Sequence, residues 1–426
     1  KMELFYFFIH LALNITHPNG VVAFITTNYF ITADGALKLR QDLKNRSTLL
    51  QLINFNELKI FQSALGQHNM ITICQRNNSD SDCANTSITT RTGIATNDIL
   101  ESIMLGKDFM TQYYSVPFVS LFDTSNCYIR LTSAQETGIS IENILDRIRN
   151  NERLGDVCHI NQGVVSGCDF VSAKDLLKFK NLHQGDGIFV LDLLKERDLW
   201  KIGTFNDNEK ELLKPFFKNS DISRYWSKSI SDKLLLYYKG KLDEERFPNV
   251  LKHLQEFQPI LEERLVRYGE KYHWTSLHRS RDETIFTSSK IVVPYRTCQN
   301  TFTYNETDWF CSADCYIIKK KDTTLSLKYI LALLNSKLYY VWLYHRGKRK
   351  GNTLELYKTP LSAIPIKRIS TDDQNEFINL VDEIMMRKSE NPNSNTSEME
   401  HKIDRLVYDL YCLTEDEISL IESFNV

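Results

Sequence analysis

The sequence has no apolar run long enough to span a bilayer. Its opening stretch from Leu4 to Leu13 is apolar but short; His10 interrupts it and Asn14 ends it. No small-residue cleavage site follows, so an export signal is not expected. The chain therefore reads as soluble and cytoplasmic, with no membrane among its partners. It also lacks a strong charge of either sign, with a formal net charge of −2 at pH 7. That removes the overall basicity usual in nucleic-acid binders. A local basic cleft on a neutral body stays open, because the field that matters is local. The nine cysteines have no repeating spacing. In a long chain without an export signal they read as reduced thiols. Cys311 and Cys315 stand four apart near His273 and His278, but a zinc site needs four well-spaced ligands. They read as buried strand thiols, and no metal site is expected. No internal repeat is present, and no glycine-rich turn follows an early strand, so no nucleotide-phosphate cradle is visible.

What is present exceeds one ordinary core: 426 residues imply about two or three domains. The 20 Tyr, 23 Phe and 5 Trp interleave with Lys and Arg through the middle of the chain. Such mixtures suit stacking plus phosphate contacts, and equally suit ordinary cores. Near the start, helix and strand patterns alternate. Glu3 to Ile15 reads as a buried helix, and His17-Pro18-Asn19-Gly20 as a turn with Gly20 at positive φ. Val21 to Thr26 is a β-branched run expected to be a fully covered strand. Asp34 to Lys44 reads as a helix, and Leu49 to Asn54 and Met70 to Gln75 as strands. Alternation of this kind implies an α/β layer. The layer looks incomplete, and the preceding part of a larger α/β domain is expected to be missing.

The polar stretch Asn77 to Thr90 reads as a loop at the sheet edge, and Ile139 to Asn151 as a helix. Beyond Gly155 short β-rich runs appear: Val157 to Ile160, Gly187 to Leu191, Lys233 to Tyr238, Lys290 to Tyr295 and Cys315 to Lys319. Helical patterns cover Val250 to Arg267, Ser326 to Tyr344, Asp372 to Lys388 and Ser397 to Tyr411. Thr414 with Glu417 three residues on marks a capping box for a last short helix.

The stretch GVVAFITTNYFITADGALKLRQDLKN resembles the segment after the catalytic motif of gamma-class adenine DNA methyltransferases. The stretches INQGVVSGCDF, LKPFFKNSDISRYW, IVVPYR, LLNSKLYYVWLYHRGKRKGNTLELYKTPLSAIPI and IDRLVYDLYCLTEDEISLIE resemble the target-recognition region of type IIG restriction–modification enzymes. The resemblance implies the C-terminal part of a Rossmann-like methyltransferase sheet over 1–77 and a loop and linker over 78–114. A mixed α+β target-recognition domain over 115–368 and a C-terminal helical segment over 369–426 would follow. It implies methyl transfer from S-adenosylmethionine to the amino group of an adenine flipped out of double-stranded DNA. The family's catalytic Asn/Asp-Pro-Pro-Tyr/Phe is absent: no Asn or Asp precedes two prolines, and the nearest match is Asn391-Pro392-Asn393. The family's Asp…Glu-x-Lys nuclease pattern does not stand out either. This chain alone is expected neither to hold the cofactor well nor to methylate, and no catalytic residue is assigned within it.

In the family, Phe61 falls where an aromatic packs on the flipped adenine; it suits a core position equally. Gln162, Gly163, Ser166 and Gly167 fall in the loop that opens the recognition domain and approaches DNA. Glycines permit close backbone approach and Gln can read adenine edges, while a plain structural turn fits as well. The run from His345 to Asn352 is densely basic and carries two glycines. Arg346, Lys348, Arg349, Lys350 and Asn352 are its candidate DNA contacts, against the alternative of a solvated face. Arg224, Tyr225 and Trp226, and then Arg296, are further candidates that fit core or salt-bridge roles equally. The competing reading is a stand-alone DNA-binding specificity subunit that partners a separate catalytic methyltransferase chain. A metal-dependent or hydrolytic enzyme using the Cys and His residues is a third.

Overall fold

A computed structural model describes residues 3–61, 67–77, 82–122, 127–132, 140–269 and 272–424, with backbone only for Asp34 and Tyr268. The chain divides into two compact units. The first comprises residues 1–144 with 349–353, and the second residues 145–348 with 354–424, among those described. Among the described residues no helix is long and apolar enough to cross a membrane.

The first unit is an α/β layer. Its sheet holds β1 (Val21–Thr27), β2 (Ser47–Asn54), β3 (Asn69–Arg76), β4 (Cys83–Thr89) and β5 (Thr111–Pro117) in the order β1-β3-β2-β4-β5. β3 runs antiparallel to both β1 and β2, whereas β4 is parallel to β2 and antiparallel to β5. Helices α1 (Leu4–Ile15) and α2 (Leu37–Arg46) cover it. Tyr6, Ile9 and Leu13 pack with Leu39, Leu43, Leu49 and Leu52 in one core. Asp42 on α2 binds His10 of α1 at 2.5 Å and Arg46 at 3.1 Å. Arg40 is fully buried, yet its guanidinium donates to the carbonyls of Phe30 and Ala33 at 2.7 and 2.6 Å. A buried charge needs such acceptors.

Four details depart from the sequence reading. Helix α1 buries only one stripe; Leu4, Phe7, Phe8 and Leu11 are all more than half exposed. β1 is an edge strand covered on one side only, with Val21 and Ile25 exposed. In the turn before it the positive φ belongs to Asn19, at 65°. Gly20 is needed for space, since a Cβ there would lie 2.6 Å from Thr16 Cγ2. Finally, Cys83–Thr89 is a strand where a loop was expected, and Thr111–Pro117 pairs with it. Thr86 and Thr89 are buried there, with their hydroxyls donating to the carbonyls of Leu131 and Met110. A strand made of hydroxyl residues carries little hydrophobic periodicity, which is why it read as loop. Residues 78–81 of that stretch, and Ile139, lie outside the described residues.

The second unit is mixed α+β. The strands Cys158–Gln162, Cys315–Lys320, Lys290–Pro294 and Thr303–Asn305 form one antiparallel sheet. A second four-stranded sheet joins Val190–Asp192, Lys233–Leu236, Leu213–Phe217 and Phe310–Cys311. Trp309 is fully buried, stacks on Phe217 with ring centroids 4.6 Å apart, and donates its indole N–H to the Lys228 carbonyl at 3.0 Å. Cys311 and Cys315 are buried in this core as thiols. The single helix read over Ser326 to Tyr344 is two, Leu327–Asn335 and Lys337–Arg346. Ser336 breaks it with ψ 158°, and its hydroxyl caps the second helix. Likewise Val250 to Arg267 splits into Pro248–Gln255 and Gln258–Tyr268. The last helix, Glu415–Glu422, carries the Thr414/Glu417 capping box read from the sequence.

His253 gives the second unit a pH-sensitive core. It is buried and hydrogen-bonded to the Ile188 carbonyl at 2.8 Å. Burial, with Lys201 nearby, holds its imidazole down at about 4. The unfolded chain takes up that proton first as pH falls below about 6.5. Stability therefore declines between about pH 6.5 and 4, by about 3 kcal/mol from this residue. In urea titrations the unit should lose stability across that window, and His253→Gln should flatten the decline; an unaltered slope in the variant would refute this account.

Candidate functional site

The loop that follows the strand Cys158–Gln162 is held by backbone contact and one buried arginine. A Cβ on Gly163 would lie 2.2 Å from the Ser312 carbonyl oxygen, so only glycine lets the two backbones meet. Val165 pairs with Arg279 through two backbone hydrogen bonds of 3.1 and 2.8 Å. Arg264, fully buried, donates to the carbonyls of Ser166, Trp274 and Ser276 at 2.8, 3.0 and 2.8 Å. Gly167 turns above it at φ 85°, where a Cβ would lie 2.7 Å from Arg264 Cδ. The Ser166 hydroxyl donates to Asp169.

This scaffold changes the roles of the loop residues. Gln162 donates to the Ala313 carbonyl at 2.9 Å, and its Oε1 accepts from Arg281 at 2.8 Å. Gln162 therefore orients an arginine, with its amide nitrogen tied to Ala313 and its oxygen to Arg281. Gly163, Ser166 and Gly167 are likewise occupied in holding the loop. Beside it opens a cleft lined by Asp169, Phe170, Ser172, Lys218 and Arg267 among others. Phe170 is 48% exposed, and the Lys218 ammonium sits 5.6 Å over its ring and 3.4 Å from Asp169.

A second cluster forms where the strand Arg296–Thr297 pairs with Thr353–Glu355. The buried Glu355 carboxylate lies 2.9 Å from Arg296 and 3.6 Å from Lys348. Arg296 also covers Tyr295, and Lys348 covers Tyr357, at 5.0 and 5.3 Å from the ring centroids. Tyr295 in turn lies 6.3 Å from Tyr316, which faces Gln162 in the sheet register. Arg296 and Lys348, singled out from sequence, are thus brought together with four residues that were not: Tyr295, Tyr316, Tyr357 and Arg281. Tyr295 and Tyr357 had a weak signal, a tyrosine beside a basic residue in PYR and LYK; Tyr316 and Arg281 had none.

The basic run does not act as one loop. Lys348 and Lys350 are exposed. Arg346, only 8% exposed at its side chain, pairs with Asp146 at 3.3 Å. Arg349 lies 3.6 Å from Glu57 in the first unit's segment, and Asn352, with its amide oriented to donate, reaches both Glu57 oxygens at 3.0 and 3.1 Å. Arg346 closes the helix Lys337–Arg346, whereas Arg349 and Lys350 form a two-residue strand whose successive side chains take opposite faces. His68, buried beside this group, approaches the carbonyls of Asn56 and Gly351. Burial and then Arg349 hold its imidazole below the ordinary value, against Glu57.

Arg224 and Tyr225, two further candidates, take internal roles. Arg224 binds Glu400 at 2.5 Å and Asn300 at 3.0 Å, and Tyr225 is fully buried at φ 60°. Both are internal struts, and neither is placed to meet a ligand. Trp226 is half-buried in the short ladder of Ile222–Ser223 with Trp226–Ser227. Phe61, by contrast, is not a core residue: its ring is 46% exposed after the buried Phe55 and Leu58. The connection from β1 to α2 carries one glycine, Gly35, and no glycine-rich turn.

Two protein families match the chain. The TaqI-like C-terminal specificity domain matches residues 214–366, and the Eco57I restriction-modification methylase matches residues 1–61. The resemblance read from the sequence is borne out in both segments. The type II methyltransferase M.HindII of Haemophilus influenzae is 25% identical over 384 residues, covering 86% of this chain and 68% of its own length. M.HincII of Haemophilus influenzae is 23% identical over 381 residues, covering 86% of this chain and 66% of its own length. In fold, the chain is similar to the type IIL restriction-modification enzyme MmeI in complex with DNA. That likeness has a TM-score of 0.57 at 12% identity, covering 97% of this chain and 49% of that one. The chain thus spans about two thirds of these curated relatives and about half of that solved structure.

If Arg224 is a strut, removing its partner should cost more than replacing the pair. Glu400→Ala should lower stability by about 3 kcal/mol in urea unfolding, and the double change Arg224→Met with Glu400→Leu by clearly less. Equal stability of Glu400→Ala and the unaltered chain would return Arg224 to the list of free cations.

Proposed function

We propose that this chain reads a DNA site as the specificity part of a type II restriction–modification methyltransferase. The observation that carries this reading is the specificity-domain match over 214–366. Tyr295, Arg296, Lys348 and Tyr357 all fall inside it, and these four form a basic, aromatic face around the short pairing of Arg296 with Glu355. Basic side chains backed by tyrosine rings suit a phosphate backbone and its sugars. The substrate base of the larger protein is adenine, on the resemblance of residues 20–45, and the exposed Phe61 is its stacking residue. Methyl transfer from S-adenosylmethionine belongs to that larger protein. The residues described here contribute binding and orientation of DNA. A cytoplasmic location follows from a substrate of genomic DNA.

A second reading, a specificity subunit beside a separate methyltransferase chain, rests on the same specificity-domain match over 214–366. The two readings share the same DNA face, so one test serves both. Fluorescence anisotropy with a random-sequence duplex should show binding that weakens steeply between ~50 and ~200 mM salt. Changing Lys348 to Ala should reduce the log–log salt slope by ~0.9, the value for one lost phosphate contact. A folded chain that fails to bind any duplex at low salt would contradict both readings.

A further inference from the structure

Two arginines beside the braced loop were singled out by no sequence motif. Arg281 has φ 69°. That left-handed backbone costs a non-glycine residue about 1–2 kcal/mol, and such strain gathers at functional positions. Its side chain is fixed on two sides: Nε donates to the Gly163 carbonyl at 3.3 Å, and Nη2 donates to Gln162 Oε1 at 2.8 Å. Gln162 is itself tied to Ala313. Nη1 remains, with no hydrogen bond to a described residue. Arg279 is exposed, and its backbone is clamped to Val165 by the two-bond bridge. Burial, and then the positive charge of Arg279, push the Arg281 guanidinium below its ordinary value.

Among the described residues neither arginine forms an ion pair. The nearest acidic neighbour in sequence, Asp282, is taken by Lys239 at 2.9 Å and by Thr284. Backbone strain and two hydrogen bonds thus fix the Arg281 guanidinium two residues from Arg279 and within reach of its charge. Like charges so placed are unfavourable in the free chain and become favourable when an anion enters. The loop between them is pinned by the buried Arg264, so the pair cannot easily swing apart.

We infer that Arg279 and Arg281 form a preorganised clamp for a backbone phosphate of DNA, with Gln162 as the positioning residue for Arg281. The inference rests on the DNA-reading function proposed above. A phosphate oxygen accepts from Arg281 Nη1 and from the Arg279 fork, and planar guanidinium groups suit that geometry. The contact is independent of base sequence, so it fixes register and not specificity.

The test is the salt dependence of binding to a random-sequence duplex, measured on the full chain for Arg279→Ala, Arg281→Ala and Arg281→Lys. Arg279→Ala removes an exposed side chain and leaves the backbone bridge, so it remains informative if Arg281→Ala unfolds. Each Ala variant should reduce the slope by ~0.9, and Arg281→Lys should keep the slope of the unaltered chain. An unaltered chain that binds, with Ala variants of unchanged slope, overturns the clamp alone. So does a loss confined to particular sequences with an unchanged slope, which marks base reading. An unaltered chain that binds no duplex overturns the clamp together with the function it rests on.

Discussion

The candidate face of the second unit depends on one buried cation. Arg264 has no carboxylate partner among the described residues; three backbone carbonyls receive its protons instead. Those carbonyls come from two separate stretches, at Ser166 and at Trp274 and Ser276. The arginine thereby joins the loop after Gln162 to the segment that carries Arg279 and Arg281. Gly163 is the complementary constraint, because any side chain there would strike the Ser312 backbone. Remove either one and the two stretches lose the register that brings Gln162 to Arg281. A buried guanidinium left without acceptors would also carry a large desolvation cost.

This arrangement separates structure from contact in a way that residue types cannot. The loop read as a DNA-approaching element is braced from beneath by Arg264, and its glutamine holds an arginine. The residues it supports are the ones that face outward. Similarly, the basic run splits by element: Arg346 ends a helix and meets Asp146, Arg349 meets Glu57 from a short strand, and Lys348 and Lys350 are exposed, Lys348 beside Glu355. The charge density of the run is visible in sequence, but its division is a matter of which element and face each residue takes.

Much of the fold was legible where apolar periodicity is strong. The helix α1, the strands β1 to β3 and the capped last helix lie within a residue or two of their expected bounds. The strand Cys83–Thr89 was not legible, because its buried positions are Thr and Ser satisfied by distant carbonyls. The break at Ser336 was hidden inside a continuous apolar stripe. Arg224 and Tyr225 looked like a contact pair because an arginine beside aromatics suits either role; only the position of Glu400, far along the chain, decides between them. Arg279 and Arg281 gave no signal at all. Their meaning comes from a positive φ and a glutamine on another strand.

The central claim is that DNA sits on the face of the second unit built from residues 278–281, 295–297 and 354–357 with Lys348. Hydrogen–deuterium exchange of the full chain, with and without a duplex at low salt, tests it most directly. The account predicts slowed exchange in those three stretches on adding DNA. It predicts no change in the buried strand Lys290–Pro294 or around Arg224, which are protected in either state. Protection confined to other surfaces, with these three stretches unaltered while DNA is bound, would contradict it.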